Sequence, residues 1–418
     1  MEATLANAHA TIAKLWPGES SKRQPVHTVY GGGHLFKHDT AHKLGALAKK
    51  ALAEHAPDAK TFARAIGLDA KLADVVYARV VAKLDREPVE DFRIDFEDGY
   101  GTRPDAEEDG HVELAAREVA RGKKGGTLSP FIGIRVKSLS RELAARSART
   151  LDLFLTTLAR ETHGDLPEHF VVTLPKIQHV DQVKAFVDEL AAIEKRLGLR
   201  APVAMEIMVE QPQTIFASDG RAALPMIHDA CRDRLFGAHF GTYDYTASLG
   251  ITAAHQHMMH PACDFAKNMM QVAFAGTGVM LSDGATNVMP VGATETVHAA
   301  WRLHATHVRH SLETAFYQGW DLHPAQLPTR YATVFAFFLE AKDAATERLK
   351  NFVDKAAQAT LVGDVFDDAA TGQGLLNFFL RGLTCGALTE EEALATGLTV
   401  EELRSKSFVK VVENRKKR

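Results

Sequence analysis

Short apolar runs alternate with longer segments of helical periodicity between residues 25 and 340. The short runs are typical of buried strands, and the longer segments are typical of helices with one apolar face. Residues 131–136 and the helix predicted over residues 139–162 form one such unit, and residues 60–85 predict a single long helix. About eight strand–helix units follow one another, which is the number that closes into a TIM (β/α)8 barrel.

The pattern divides the chain into three parts. Residues 1–24 predict an N-terminal amphipathic helix, and residues 25–344 predict the TIM barrel catalytic domain. Residues 345–418 predict a helical C-terminal extension, because no strand pattern continues beyond residue 340. This extension would act as a lid over the site or as an oligomer contact. The expected fold class is α/β, a TIM barrel with a helical C-terminal appendage.

Composition narrows the class of protein. The formal net charge of −4 favours neither nucleic acid nor a membrane surface as a partner. Cys231, Cys263 and Cys385 are far apart and form neither a disulfide framework nor a C-x-x-C metal motif. We find no signal-peptide pattern and no apolar run of about 20 residues, so a cytoplasmic location is expected.

Two predicted neighbouring strands each lead into a carboxylate. Glu210 follows the apolar run over residues 203–209, and Asp244 follows the run over residues 235–240. Because the carboxyl ends of parallel strands meet at one end of a barrel, these acids are expected to lie together. Hard divalent cations prefer carboxylate oxygens and need few protein ligands. The pair therefore predicts a Mg²⁺ site, with Mn²⁺ as an alternative metal.

An acidic loop and two basic residues are expected at the same end of the barrel. A predicted strand delivers Asp95, Glu97 and Asp98 into one loop, where their repulsion calls for a cation or basic groups nearby. Arg135 ends the next strand, and Lys176 follows the one after it. A guanidinium group fits a carboxylate through two parallel hydrogen bonds. Arg135 is therefore equally compatible with a structural ion pair and with an anion clamp.

Six short motifs occur in one succession: D-F-E-D-G at 95–99, I-R-V-K at 134–137, L-P-K-I at 174–177, V-E-Q-P at 209–212, F-G-T-Y-D-Y at 240–245 and L-H-P-A-Q at 322–326. This order resembles the citrate lyase beta-subunit superfamily, which includes malyl-CoA lyases, class II aldolases of the 2-oxo acid type and malate synthase. The resemblance covers roughly residues 26–330. The G-T-Y-D-Y segment is also similar to a G-R-W-D-Y segment of malate synthase.

The resemblance implies roles for individual residues. It implies a TIM barrel in which Glu210 and Asp244 bind Mg²⁺. It implies that Arg135 clamps the carboxylate of a 2-oxo acid or the neighbouring carbonyl oxygen. Glu97 and Asp98 fall in the acidic loop that hydrogen-bonds metal-bound waters, and with Arg135 they are the implied catalytic residues. Substrate contacts are implied for four residues: Arg135, Lys176, Gly241 and Thr242.

The resemblance implies a Mg²⁺-dependent carbon–carbon lyase or aldolase, expected as a homo-oligomer. Its small-molecule substrate would be a 2-oxo or 3-hydroxy acid, or an acyl-CoA thioester. The metal would stabilise the enolate that forms when the neighbouring carbon–carbon bond breaks. A condensing enzyme similar to malate synthase is the alternative within the superfamily. No motif identifies the general base, which in malate synthase and malyl-CoA lyase is an aspartate of a C-terminal segment.

Two alternatives belong to other classes of protein. The first is a histidine-metal protein, because imidazole clusters suit zinc or iron, although the H-E-x-x-H motif is absent. The histidines concerned lie in two groups: His255, His257 and His260, then His298, His304, His307 and His310 along one predicted helix. The second alternative is a barrel that binds a 2-oxo acid without catalysis, because a fold does not determine a function.

Overall fold

Eight parallel strands form a closed barrel. The structure, a computed structural model, describes residues 2–18, 20, 22–354, 360–362, 365–367, 369–404 and 411. The strands pair in chain order, and the last pairs with the first. They are β1 His27–Gly32, β2 Asp91–Asp95, β3 Phe131–Arg135, β4 Phe170–Leu174, β5 Ala204–Val209, β6 Leu235–Phe240, β7 Met280–Ala285 and β8 Gln318–Asp321. The predicted TIM barrel is confirmed.

Helices surround the barrel and carry every crossover between strands, as parallel pairing requires. Up to and just beyond β8 they are α1 Glu2–Leu15, α2 Thr40–His55, α3 Ala59–Ile66, α4 Ala73–Arg86, α5 Asp105–Gly125, α6 Ala144–Thr162, α7 Val180–Leu197, α8 Ala223–Ala230, α9 Thr242–Ser248, α10 Pro261–Phe274, α11 Thr294–Glu313 and α12 Leu327–Asp354. No described helix combines the length and the apolarity that crossing a membrane requires.

The hydrophobic core lies between the strands and the helices. Phe92 of β2 packs against Phe36 with ring centroids 5.4 Å apart, and Phe96 packs against Phe154 of α6 at 6.3 Å. These residues belong to one contiguous apolar cluster around the barrel. Each Å² of apolar surface buried in such a layer stabilises the fold by about 25 cal/mol. The outer layer therefore supplies the main driving force for closing the barrel.

The inside of the barrel is charged. Arg93 alternates with apolar neighbours along β2 and points inward, where its guanidinium donates to Asp91 and to Glu206 of β5, at 2.6 Å in each case. Thr173 of β4 donates to the same Glu206 carboxylate at 3.0 Å. Strands β2 and β5 are not neighbours, so this contact crosses the interior. All four side chains are buried, and the pairing matters because a buried charge without a partner is strongly destabilising.

The helix predicted over residues 60–85 is two helices. α3 ends at Gly67, whose φ of 78° is the left-handed conformation that glycine adopts without strain. A short 3₁₀ turn over Ala70–Leu72 then leads into α4. The prediction of one helix was wrong because the apolar period continues across the turn and hides it.

The N-terminal helix α1 occupies most of the segment where a helix was predicted. Its apolar side chains Leu5, Ile12 and Leu15 are 45%, 51% and 37% exposed. The next residue, Trp16, lies beside Gly276 at the end of α10. The apolar face of α1 is thus not covered by the described residues of its own chain.

The C-terminal extension contains strands as well as helices. Residues Thr360–Val362 and Val365–Asp367 pair as two short antiparallel strands, β9 and β10. The prediction that no strand follows residue 340 was therefore wrong, and the β-branched residues in both segments favour strands. α12 runs through the predicted boundary between residues 344 and 345. The remaining helices are α13 Ala369–Thr384, α14 Glu390–Leu394 and α15 Val400–Arg404.

The described part of the extension packs near the amino ends of the strands. Arg381 of α13 donates to Gln24, which precedes β1, at 2.8 Å. The guanidinium of Arg381 also lies 5.2 Å from the ring centroid of Tyr317, which precedes β8. Both contacts lie at the end of the barrel opposite to the carboxyl ends of the strands. The extension therefore leaves those carboxyl ends uncovered, as far as its described residues go.

One buried histidine makes the stability of the fold depend on pH. The Nδ1 of His307 lies 2.9 Å from the hydroxyl oxygen of Thr286, and burial lowers the pKa of His307 to about 4. A histidine in the unfolded chain has a pKa of about 6.5, so between these values the unfolded chain binds a proton that the folded protein excludes. The part of the free energy of unfolding that depends on His307 is therefore fully present above about pH 6.5 and is lost as the pH falls towards about 4.

We predict that His307→Gln weakens this dependence, because glutamine can still bond to Thr286 but does not titrate. Urea unfolding at about pH 7 and about pH 5 should show a smaller loss of the free energy of unfolding in the variant than in the wild type. An equal loss in both proteins would contradict the assignment.

Candidate active site

The carboxyl ends of the strands bring the predicted site residues to one mouth, as the barrel geometry requires. They end or follow five successive strands: Glu97 and Asp98 after β2, Arg135 at the end of β3, Lys176 after β4, Glu210 after β5, and Gly241, Thr242 and Asp244 after β6. Hydrogen bonds and ion pairs connect most of them directly.

Arg135 is buried and pairs with Asp95 at the end of β2. Its Nε and Nη2 donate to the two oxygens of Asp95 at 2.8 and 2.6 Å, which is the bidentate fork of a guanidinium and a carboxylate. Its Nη1 lies 3.2 Å from Glu97 Oε2 and 3.9 Å from Asp98 Oδ2. Burial alone would lower the pKa of Arg135, but Asp95 raises it well above the ordinary value. Arg135 is thus a structural ion pair with one charged edge turned to the acidic loop.

Lys176 connects the acidic loop to Glu210. Its Nζ lies 2.5 Å from Glu97 Oε1, 2.8 Å from Asp98 Oδ1 and 3.8 Å from Asp244 Oδ2. Its backbone N–H donates to Glu210 Oε1 at 2.6 Å. Its φ of 51° is a conformation that residues other than glycine seldom adopt. Backbone strain of this kind persists where surrounding contacts fix it, and it clusters at functional sites.

Glu210 and Asp244 form the pair that the sequence predicted. Glu210 is fully buried, whereas the Asp244 side chain is 39% exposed. Burial, and then the neighbouring carboxylate of Asp244, raise the pKa of Glu210 to about 8. Burial also raises the pKa of Asp244, although Lys176 opposes the shift. Burial is the main cause of both shifts, and the basic groups nearby do not offset it.

The described residues of the mouth carry an excess of acidic groups. Among them, two basic side chains face five acidic ones: Arg135 and Lys176, against Asp95, Glu97, Asp98, Glu210 and Asp244. A divalent cation between Glu210 and Asp244 would relieve this excess, so the residues present fit such an ion. The described residues contain no group of three or more His, Cys, Asp or Glu side chains arranged around a metal. Water or substrate would therefore supply the other ligands, as Mg²⁺ commonly requires.

Gly241 and Thr242 lie against this pair. A Cβ at Gly241 would lie 2.5 Å from Glu210 Cβ and 2.6 Å from Glu210 Oε2, so only glycine leaves Glu210 in place. Thr242 is buried beside Gly284 of β7, and its hydroxyl has no hydrogen-bond partner among the described residues. Leaving a buried hydroxyl unpaired costs about 1–3 kcal/mol, which a ligand or a water at this position would recover.

An aromatic pair that the sequence reasoning missed lies within the barrel beside Arg135. The rings of Tyr30 of β1 and Trp320 of β8 stack with centroids 4.1 Å apart. The guanidinium carbon of Arg135 lies 4.8 Å from the centroid of Tyr30 and 5.6 Å from that of Trp320. Met208 of β5 packs in the same small cluster. The signal available in the sequence was one aromatic residue on the first strand of the barrel and one on the last.

The histidines of the metal alternative have separate partners. Three of them bond to different groups: His304 to Asp321, His307 to Thr286 and His310 to Asp264. His257 and His260 have ring centroids 5.9 Å apart, without a third ligand in the described part of the chain. The described residues therefore give a histidine metal centre no support.

The comparisons place the chain in a family. It belongs to the family described as "Domain of unknown function (DUF6986)", which matches residues 5–411. No protein of curated function matches the chain in sequence.

Several solved structures are similar to the chain. A citrate lyase from Burkholderia xenovorans LB400 has a TM-score of 0.61 and 19% identity, covering 90% of this chain and 96% of its own. A malate synthase from Haloferax volcanii, in a magnesium/glyoxylate complex, has a TM-score of 0.49 and 15% identity, and the match covers 94% of this chain and 97% of its own. An HpcH/HpaI aldolase/citrate lyase family protein from Burkholderia cenocepacia J2315 has a TM-score of 0.41 and 13% identity, and the match covers 82% of this chain and 99% of its own. The likeness to the citrate lyase establishes the shared fold.

Gly241→Ala tests how tightly Glu210 is held. The new methyl group would displace the Glu210 side chain and should lower the free energy of unfolding by about 1–3 kcal/mol, measured by urea unfolding. Gly110→Ala is the matched control, because a methyl group added at Gly110 of α5 would meet no neighbouring element within 4 Å among the described residues. That control should be stabilised by about 0.5–1 kcal/mol. Equal stability of Gly241→Ala and wild type would show that Glu210 is not confined by Gly241.

Proposed function

We propose that the protein is a Mg²⁺-dependent carbon–carbon lyase or aldolase that acts on a 2-oxo or 3-hydroxy acid, free or as its acyl-CoA thioester. One observation carries the proposal: the buried Glu210 lies at the same mouth as Asp244, where acidic side chains outnumber basic ones among the described residues. The charged edge of Arg135 at the same mouth supports it, because a substrate carboxylate needs such a partner. The shared fold with a citrate lyase is compatible with this chemistry.

Glu210 and Asp244 would hold the metal ion, and the Lys176 N–H would keep Glu210 oriented. When bound, Mg²⁺ would act as a Lewis acid towards negative charge that develops on the keto oxygen of the substrate. Arg135 Nη1 and Lys176 Nζ would bind the carboxylate of the substrate. Because Asp95 and the acidic loop already fix both basic groups, little conformational freedom is lost when the substrate binds.

Glu97 is the residue that we propose to hold the transferred proton. Its Oε2 is buried without a hydrogen bond in the described structure and lies 3.2 Å from Arg135 Nη1. Burial raises the pKa of Glu97, although Arg135 opposes the shift. Raising the pKa of a carboxyl group brings it closer to the neutral range in which it can both accept and return a proton. The described C-terminal extension contacts the other end of the barrel. Among the described residues, Glu97 is therefore better placed than the extension to hold this proton.

Removing one charge of the pair tests the proposed metal site. Glu210→Gln and Asp244→Asn change shape little and should each lower Mg²⁺-dependent turnover by at least about a hundredfold. Turnover is measured as kcat/KM for cleavage of a panel of 3-hydroxy acids and their CoA thioesters. Without metal, Glu210→Gln should be at least as stable as wild type, because glutamine does not ionise and so removes the cost of burying an acid whose pKa the fold raises to about 8.

Asp343→Asn is the matched control, because the Asp343 side chain is 96% exposed and lies on α12. Full turnover in either mouth variant would refute the proposed metal site. Binding of Mg²⁺ and pyruvate without turnover of any substrate would instead favour a barrel that only binds.

Arg135→Lys tests the anion clamp. Lysine keeps the charge but loses the planar fork, so KM for the 2-oxo or 3-hydroxy acid should rise at least about tenfold and kcat should fall. Arg309→Lys is the control, because Arg309 pairs with Glu340 on the outside of the barrel. Equal values of kcat and KM in Arg135→Lys and Arg309→Lys would exclude the clamp.

A further inference from the structure

We propose that His239 is a positioning residue for the Arg135 clamp, and that it acts through the indole of Trp320. The inference rests on the proposed function for the identity of the ligand that Arg135 binds. It adds a residue that does not contact the mouth. His239 lies on β6, on the far side of the barrel interior from Arg135 on β3, and its side chain is buried.

The first link is the hydrogen bond between Trp320 and His239. The indole Nε1–H of Trp320 donates to His239 Nδ1 at 2.9 Å. An indole nitrogen donates but never accepts, so His239 Nδ1 carries no proton. The ring is therefore neutral, with its proton on Nε2. This assignment fixes the direction of every hydrogen bond that His239 makes.

The second link holds His239 itself. Its Nε2, which carries the ring proton, lies 3.2 Å from Glu206 Oε2. Glu206 in turn accepts from Arg93 through both of its oxygens, at 2.9 and 2.6 Å, and from Thr173. Because each group is buried and paired, the imidazole has one low-energy orientation. A neutral apolar side chain of similar size would fill the space but would not aim the indole.

The third link connects the indole to the clamp. The ring of Trp320 stacks on Tyr30 with an angle of 27° between the planes, and the guanidinium of Arg135 lies over both rings. Asp95 fixes two nitrogens on one edge of this guanidinium. The aromatic rings fix its face, since a cation is attracted to the face of an aromatic ring. The orientation of the indole therefore helps to determine where Nη1 of Arg135, the nitrogen turned to the acidic loop, points.

Three variants separate positioning from simple packing. Trp320→Phe keeps a ring for stacking but removes the Nε1–H donor. His239→Leu removes both hydrogen bonds, and His239→Gln can restore both, because its amide accepts through oxygen and donates through nitrogen. His310→Leu is the matched control, since His310 also contacts a carboxylate, with Nε2 2.8 Å from Asp264 Oδ1, but lies on α11 outside the barrel.

The first measurement needs no ligand. The Nε–H resonance of Arg135 is observed by ¹H–¹⁵N NMR of the full chain and assigned by its absence in Arg135→Lys. We expect this resonance to shift in Trp320→Phe and in His239→Leu, and to return close to its wild-type position in His239→Gln. His310→Leu should leave it unchanged. An unshifted resonance in Trp320→Phe overturns the proposal, and this variant decides the matter if His239→Leu does not fold.

The second measurement uses pyruvate in the presence of Mg²⁺, with Kd determined by calorimetry. Trp320→Phe and His239→Leu should weaken pyruvate binding by at least about fivefold, as expected for a displaced binding group, and His239→Gln should recover most of it. Wild-type affinity in Trp320→Phe overturns the positioning role. If wild type itself does not bind pyruvate, oxaloacetate or glyoxylate, the proposed function fails, and the NMR result alone decides whether His239 orients Arg135.

Discussion

Among the described residues, acidic side chains at the mouth of the barrel outnumber the basic side chains that face them, and this imbalance organises the candidate site. Inside the barrel, Arg93 lies between Asp91 and Glu206, so the buried charges there are paired. At the mouth, burial and the neighbouring Asp244 raise the pKa of Glu210 to about 8. A stable fold has no need of such a poorly compensated acid, because apolar replacements of buried charges are commonly tolerated. The imbalance is the physical reason for which we propose a binding site at the mouth rather than a purely structural network.

The barrel makes this arrangement rigid. The acids and bases of the mouth extend from the ends of hydrogen-bonded strands, and an apolar layer holds those strands against the surrounding helices. The Asp95 fork holds one edge of Arg135, and the rings of Tyr30 and Trp320 hold its face. The described C-terminal extension contacts the opposite end of the barrel. Within the described residues, the fold thus combines a fixed set of charged groups with a mouth that the extension does not cover.

The barrel and its mouth could be predicted from the sequence because both follow from local patterns. Residues such as Glu210 and Lys176 come directly after apolar runs, and parallel strands bring such positions together without knowledge of any individual contact. The network of buried polar side chains inside the barrel could not be predicted in this way. The bond between Trp320 and His239 joins residues 81 positions apart, and the inward orientation of Arg93 depends on which face of β2 the closed barrel turns inward. The break between α3 and α4 at Gly67 was not predicted, because the spacing of apolar residues does not reveal a single residue with a positive φ.

A crystal of the protein soaked with Mn²⁺ and pyruvate would test the central claim most directly. Manganese replaces magnesium at oxygen-ligand sites and scatters anomalously, so its position is seen independently of the protein atoms. We expect an anomalous peak between the carboxylates of Glu210 and Asp244, with the carboxylate of pyruvate turned to Arg135 Nη1. A peak at the histidines of α11 and its surroundings, or an empty position between Glu210 and Asp244, would contradict the proposed metal site.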